Sequence, residues 1–137
     1  MTHTYLNPAN LFPSTQYGFS QVVVCQPGRT VYMSGQVAWD AEQEIGGDPG
    51  VRSQAERALA NVERAVQAAG GQRTDIISLR LYLVGEAIRA TAAVSDALLG
   101  FFPADRLPAT SWIGVAALAN PEFLIEIEAV AVIGDDR

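Results

Sequence analysis

The sequence contains no lysine, because all nine of its basic residues are arginines. A Schiff base with a substrate carbonyl or with pyridoxal phosphate requires a lysine amine, so pyridoxal-phosphate and lysine-aldolase chemistry are excluded. The chain also has a single histidine, His3, and a single cysteine, Cys25. These counts exclude an internal disulfide and argue against histidine-based metal sites, Ser-His-Asp triads and Cys-His pairs. We therefore predict no metal and no cofactor, and expect any chemistry to use carboxylates, hydroxyls, backbone groups, arginine or water.

Long apolar runs and basic clusters are also missing. No uncharged apolar stretch approaches the roughly 20 residues that a membrane-spanning helix needs. The N-terminus has no basic segment followed by an apolar one, so no secretory signal is predicted. The formal charge is −6 and the arginines are dispersed, which disfavours binding to a phosphate backbone. These features predict a cytoplasmic protein without membrane or nucleic-acid partners.

The length of 137 residues, with 49% hydrophobic and 18% charged residues, is typical of one globular domain. Residues 1–17 are rich in proline and asparagine and predict an irregular arm, which would leave His3 in a flexible terminus. Residues 22–25 and 30–39 are rich in β-branched and aromatic side chains around a Pro-Gly turn, which predicts a hairpin. Residues 40–50 should form a loop.

From Val51 the apolar residues recur with a period of 3.6, which predicts an amphipathic helix of about five turns closed by Gly70 and Gly71. Alternation over residues 75–84 predicts a strand. A second helix is expected at about residues 87–102, where Pro103 stops it. Two further strands, over residues 110–118 and 123–133, should flank a turn at residues 119–122.

This ββαβαββ order predicts an α+β fold, a two-layer sandwich with both helices on one face of a mostly antiparallel sheet. The other face has no helix left to cover it. On the last strand it would carry the apolar Leu124, Val130 and Val132 beside Glu126 and Glu128. Such a face is too apolar for free solvent, so we expect another subunit to cover it.

Five segments together resemble the RidA/YjgF family, the Rid reactive-intermediate deaminase superfamily. They are GFSQ (18–21), VYMSGQVAWD (31–40), QAERALANVERAVQAAGG (54–71), FFPADRLPATS (101–111) and IEIEAVAV (125–132). The resemblance covers nearly the whole chain and implies a single RidA/YjgF-like domain over residues 1–137. It also implies a chorismate-mutase-like fold and a homotrimer with small-molecule clefts between subunits.

The activity implied by the resemblance is hydrolysis of reactive enamines and imines, such as 2-aminoacrylate, to a keto acid and ammonia. Active members hold the substrate carboxylate with the arginine of a Pro-x-Arg-Ser motif. Here that segment, residues 108–111, is Pro-Ala-Thr-Ser, so Thr110 occupies the arginine position, and Trp112 replaces the cysteine that commonly follows. Threonine cannot replace a charged two-pronged donor, whose loss in a buried site costs about 2 to 4 kcal/mol.

Other site positions carry over from the resemblance. Ser34 and Gly35 match the Ser-Gly pair that lines the cleft, and Glu126 matches the catalytic glutamate that positions water. Phe19 stands where many members have a tyrosine. Ser95 aligns with a cleft asparagine on the second helix. We therefore predict that Glu126 is catalytic and that the ligand-binding residues are Phe19, Ser34, Gly35, Ser95, Thr110 and Trp112.

Several of these residues also have a purely structural interpretation. Glu126 and Glu128 would project from one strand face about 7 Å apart, either to activate water or to pair with Arg80 or with a neighbouring subunit's arginine. Gly35 is equally typical of a β-bulge, and Trp112 of interface core. Arg80 or Arg106 could return a positive charge to the cleft, although a solvated arginine is the default.

Two functions remain open from the sequence. One is a hydrolytic enamine or imine deaminase that acts on a small carbonyl, imine or carboxylate metabolite. The other is a non-catalytic trimer that binds a metabolite or supports a partner enzyme, which the residues at positions 19, 110 and 112 favour. A ribonuclease function is disfavoured by the acidic charge and by the absence of a histidine pair.

Overall fold

A computed structural model describes residues 2–136. The fold consists of a two-stranded ribbon, a four-stranded mixed sheet and two helices on one face of that sheet. In chain order the elements are β1 (Thr4–Leu6), β2 (Val22–Val24), β3 (Gly28–Gln36), α1 (Val51–Ala68), β4 (Ile76–Val84), α2 (Thr91–Phe101), β5 (Ala109–Val115) and β6 (Ile125–Gly134). The predicted α+β class is confirmed.

The strands of the large sheet lie in the order β3-β6-β4-β5. The last strand, β6, is therefore central and runs antiparallel to both of its neighbours, whereas β5 pairs with β4 in parallel. The segments on either side of the predicted 119–122 turn thus do not pair with each other, because β4 lies between β5 and β6.

Helix α1 follows its sequence pattern closely. It spans 18 residues and buries its apolar stripe, which includes Leu59 and Val62. The chain leaves the helix through Gly70, whose φ of 87° lies in the left-handed region that glycine accepts without a Cβ penalty. The predicted helix and its Gly-Gly closure are confirmed. The second helix is shorter than predicted, because residues 85–89 form a separate 3-10 turn and α2 begins at Thr91.

The core lies between the helices and one face of the sheet. Its largest side chains are at most 1% exposed and come from α1, α2 and the central strands: Leu59, Leu79, Leu81, Leu83, Leu98, Ile125 and Ile127. Burial of each such side chain stabilises the fold by roughly 1.5 to 3 kcal/mol. The alternation of buried and accessible residues along β6 follows directly from this one-sided packing.

A buried amide links α1 to the start of β6. Gln54 is 0% exposed, and its Nε2 donates to the carbonyl oxygens of Pro49 and Glu122, both at 2.9 Å. Its Oε1 accepts the backbone N–H of Leu124 at 2.9 Å. One side chain therefore satisfies three backbone groups in the loops that lead into α1 and β6.

The predicted hairpin between residues 22–25 and 30–39 is wrong. Strand β2 pairs with β1, with Leu6 opposite Val22, while β3 pairs with β6. The three-residue β2 offers β3 far fewer ladder hydrogen bonds than the ten-residue β6. Strand β3 therefore pairs with the longer β6, which is distant in sequence, and not with the neighbouring β2.

The amino-terminal arm is more ordered than predicted. It contains β1 and a 3-10 turn, Ser14–Tyr17. His3 is not in a flexible terminus: it is 7% exposed, its Nδ1 accepts the backbone N–H of Gln26 at 2.9 Å, and its Nε2 donates to the carbonyl oxygen of Val132 at 3.0 Å. This end of β6 lies beside the arm, and Val132 is accordingly buried rather than on an uncovered face.

The remainder of the second sheet face carries no helix, as the sequence predicted. Tyr32 is 82% exposed there and Ile113 is 36% exposed. Among residues 2–136, no helix combines the length and the apolar character that crossing a bilayer requires.

Candidate ligand site

A cavity of about 530 Å³ lies between the amino-terminal arm, α2 and the edge strand β5. Its walls are aromatic and neutral polar side chains: Phe12, Tyr17, Phe19, Gln21, Thr91, Ser95, Thr110 and Trp112. The structure thus brings together four of the residues predicted to bind a ligand, namely Phe19, Ser95, Thr110 and Trp112. A volume between about 300 and 1,000 Å³ is typical of small-molecule sites.

The register of β5 directs Thr110 and Trp112 into this cavity. They pair with Leu79 and Leu81 of β4, whose side chains lie in the helix-side core. Thr110 and Trp112 therefore project from the same face of the sheet as the helices. The Trp112 indole Nε1 donates a hydrogen bond to the Thr110 hydroxyl at 3.0 Å, which fixes the plane of the ring.

Gly18 brings Phe19 to the cavity. It ends the 3-10 turn Ser14–Tyr17 with a φ of 99°, and a Cβ at this position would lie 2.8 Å from the Cβ of Leu98 on α2. Only glycine accepts both the conformation and the close approach. Ser20, two residues after Gly18, donates its backbone N–H to the Pro108 carbonyl oxygen at 2.9 Å. This hydrogen bond attaches the arm to the start of β5.

None of the side chains that line the cavity carries a charge at neutral pH. Arg106 lines a separate, smaller cavity beside His3 and Asp75. Arg80 lies opposite Glu128 in the β4–β6 register, and both project from the face of the sheet that the helices do not cover. Within one chain, neither arginine supplies the positive charge that Thr110 lacks.

The remaining predicted residues, Ser34, Gly35 and Glu126, lie together elsewhere. The β3–β6 register shifts between Met33 and Gln36, so Ser34 and Gly35 occupy a β-bulge, the alternative considered for this glycine. A Cβ on Gly35 would overlap the Glu126 carboxylate, which shows how closely that side chain approaches the bulge. The absence of a side chain at position 35 therefore makes room for Glu126.

The Glu126 carboxylate projects away from the helices, because its neighbours Ile125 and Ile127 are both 0% exposed in the core. Within residues 2–136 it forms no hydrogen bond or ion pair, so the pairing with Arg80 considered from the sequence does not occur in the chain. Its oxygens remain available to water or to a ligand.

Glu128, two residues further along β6, has a partner of its own. The Tyr82 hydroxyl donates to its Oε1 at 2.6 Å. This hydrogen bond raises the pKa of Tyr82 above 10.0, because ionisation would destroy the donor, and desolvation and the nearby carboxylate act in the same direction. Glu128 is thus engaged within the chain by a tyrosine, and not by Arg80, the partner in the chain that the sequence suggested.

The two groups of predicted residues lie on opposite faces of the sheet. Thr110 and Trp112 face the helices, whereas Glu126 faces the uncovered side, and β4 separates their strands. A ligand in the cavity of one chain is therefore out of reach of that chain's own Glu126.

Sequence reasoning missed four cavity residues: Phe12, Tyr17, Gln21 and Thr91. Phe12 and Tyr17 lie in the arm over residues 1–17 that the sequence predicts to be irregular, and Gln21 follows Phe19. The signal available was the concentration of aromatic residues at positions 12, 17 and 19.

Comparison with known proteins identifies the family. The model of the family described as Endoribonuclease L-PSP matches residues 10–133. This chain belongs to that family, which is also called RidA/YjgF. The resemblance inferred from the sequence is therefore confirmed, and the matched residues include both helices and all but the last residue of the four strands of the large sheet.

Curated RidA/YjgF relatives share about a third of their residues with this chain. A protein of Dermatophagoides farinae is 30% identical over 115 residues, which cover 84% of this chain and 85% of the relative. A protein of Rattus norvegicus is 33% identical over 122 residues, covering 89% and 85%. Both are named 2-iminobutanoate/2-iminopropanoate deaminase.

Solved RidA/YjgF structures share the fold. YyfB of Yersinia pestis, described as a protein of unknown function of the conserved Rid family, is 38% identical with a TM-score of 0.90, covering 97% of this chain and all of YyfB. The structure of E. coli TdcF with bound serine is 29% identical with a TM-score of 0.68, and 98% of each chain is covered.

Proposed function

We propose that this RidA/YjgF protein is a homotrimer in which the aromatic cavity of one copy and the Ser34-Gly35-Glu126 group of the next form a shared cleft. The cleft binds a small carbonyl, imine or carboxylate metabolite and hydrolyses enamine or imine substrates. One observation carries the proposal: the two groups project from opposite faces of one sheet, so each is open and neither forms a complete site by itself. A closed ring of copies would bring each group against the other in its neighbour.

In this cleft Glu126 acts as the general base. Its carboxylate has no protein partner within the described chain and takes a proton from the water that attacks the imine carbon. The Thr110 hydroxyl accepts from Trp112, so its own proton is left to donate to the substrate nitrogen or oxygen. The proton held by Glu126 passes to the substrate nitrogen, the remaining hydrogen of the added water follows as the C–N bond breaks, and ammonia and a carbonyl product leave.

The relatives support this type of reaction. The matched proteins of Dermatophagoides farinae and Rattus norvegicus are named as deaminases of 2-iminobutanoate and 2-iminopropanoate. The acidic charge of −6 favours a small-molecule ligand over nucleic acid. We also infer a cytoplasmic location.

A mixing experiment tests the shared cleft. Trp112→Ala removes a wall of the cavity and Glu126→Gln removes the base, so each variant alone should release no ammonia above background from a freshly generated imine. When the two variants are refolded together in equal amounts, trimers should form at random. About a quarter of their clefts should then be intact, because the Glu126→Gln copy supplies the cavity and the Trp112→Ala copy supplies the glutamate in that fraction. Absence of recovery, or a monomer in light scattering, would refute the proposal.

A second function is supported by the lack of charge in the cavity. Without a cation to hold a substrate, the cleft could bind a metabolite and perform no chemistry on it. This alternative predicts that the wild-type protein binds ketones at equilibrium but releases no ammonia from any imine, and that Glu126→Gln leaves binding unchanged.

A further inference from the structure

We propose that the cleft selects a carbonyl or imine compound that carries an aromatic ring and no carboxylate. This inference rests on the proposed function for the location of the site and narrows the class of ligand that it accepts. It follows from the side chains that line the cavity within one chain.

The cavity has a continuous aromatic wall. The ring centroids of Phe12 and Phe19 lie 6.1 Å apart in an edge-to-face arrangement, and those of Phe19 and Trp112 lie 6.1 Å apart at 53°. Both separations are within the range in which aromatic rings attract one another. A ligand ring that enters the cavity can pack against these side chains in the same edge-to-face or tilted arrangement. Gln21 holds Phe12 in place, because its Nε2 donates to the Phe12 carbonyl oxygen at 3.0 Å.

A carboxylate has no cationic partner in this cavity. Moving an anion out of water is costly unless a cation is paired with it, and the lining supplies only neutral groups. The strongest neutral donor, the indole N–H of Trp112, already binds Thr110. In the proposed shared cleft, Glu126 of the next copy adds a negative charge, which repels an anion.

The remaining polar groups suit one neutral C=O or C=N bond. The hydroxyls of Thr91, Ser95 and Thr110 lie in the lining, and each can donate one hydrogen bond to a neutral oxygen or nitrogen. A protonated imine is favoured further, because both Glu126 and the aromatic faces attract a cation. Water adds to the carbon of the C=NH group, the C–N bond breaks, and the two hydrogens of water leave with nitrogen as ammonia, which gives a ketone.

A matched pair of ketones tests the inference by binding alone. Phenylacetone and phenylpyruvate differ only in a methyl group against a carboxylate. Binding is followed by the fluorescence of Trp112 in a Trp39→Phe background, since Trp39 packs on Phe123 outside the cavity. We expect the dissociation constant of phenylacetone to be at least tenfold lower than that of phenylpyruvate or 2-oxobutanoate. Tighter binding of either acid, or no binding of phenylacetone, overturns the inference.

Variants at two positions keep the test specific to the cavity. Phe19→Ala should weaken phenylacetone at least fivefold and leave 2-oxobutanoate unchanged, and equal weakening of both compounds argues against ring recognition. Thr110→Arg should reverse the preference in favour of phenylpyruvate, whereas the isosteric Thr110→Val should keep it. If Thr110→Arg does not fold, the Phe19→Ala comparison decides the matter alone.

The outcome also separates this inference from the proposed function. Tight binding of phenylacetone without ammonia release from its imine supports the ligand class and removes the deaminase activity. Faster ammonia release from 2-iminobutanoate than from the phenylacetone imine keeps the deaminase and overturns the ligand class.

Discussion

Replacing the buried Gln54 with methionine should lower the free energy of unfolding by about 3 kcal/mol. Methionine matches glutamine in length and volume, so the substitution removes three hydrogen bonds with little change in packing. The carbonyls of Pro49 and Glu122 belong to exposed residues and can recover water. The N–H of Leu124 belongs to a partly buried residue and is left without an acceptor.

The magnitude follows from these three groups. Each of the two resolvated carbonyls loses a hydrogen bond worth about 0.5 to 1.5 kcal/mol, and the unsatisfied N–H costs about 1 to 3 kcal/mol. With a slope of about 2 kcal/mol per molar of urea, a loss of 3 kcal/mol lowers the midpoint by about 1.5 M. Because Leu124 immediately precedes β6, we also expect the amide signals of Glu126 to shift in the NMR spectrum.

Gln67→Met provides a matched control on the same helix. Gln67 is exposed, and its side chain should contribute less than about 0.5 kcal/mol. Both variants must be compared at one protomer concentration, since assembly adds to apparent stability. A difference of under 0.5 kcal/mol between the two variants would show that the buried amide does not hold α1 and β6 together.

Three further predictions concern the site and the arm. Gly35→Ala should leave the fold and the thermal midpoint unchanged but displace the flexible Glu126 carboxylate, so ammonia release should fall at least tenfold. Unaltered turnover would show that the bulge does not position Glu126. His3→Ala removes two hydrogen bonds, so hydrogen exchange at the backbone amide of Gln26 should accelerate about tenfold or more. An unchanged exchange rate would show that other contacts hold the arm. The pKa of Tyr82 is raised above 10.0 in the folded state, so the stabilisation from its hydrogen bond to Glu128 is complete below pH 10 and is lost as pH rises through the folded-state pKa. Glu128→Gln should therefore move the titration of Tyr82, followed by NMR of its ring carbons, to lower pH. An unchanged titration would refute Glu128 as the cause of the raised pKa.

Local periodicity predicted the helices and the strands that pack on them. The stripe that contains Leu59 and Val62, ended by Gly70, specifies α1 without reference to the remainder of the chain. Strand partners could not be predicted in the same way. Pairing of β3 with β6 rather than with its neighbour β2 depends on a competition between segments about a hundred residues apart in sequence.

The candidate site was predictable only in part. The resemblance supplied Phe19, Ser95 and Thr110, which the structure brings together in one cavity. It could not supply Phe12 or Tyr17, because their positions depend on the left-handed Gly18 and on the bridge between Ser20 and Ala109, the first residue of β5. Those are tertiary features without a periodic signal.

The central position of β6 has a consequence for how the chain is made. A ribosome releases β3, α1, β4, α2 and β5 before it has synthesised the strand that joins β3 to β4. Until β6 emerges, β3 has no partner in the sheet and only the parallel β4–β5 pair can form. The nascent protein therefore displays unpaired apolar strands for most of its translation, and a premature stop before β6 removes the middle of the sheet rather than its margin.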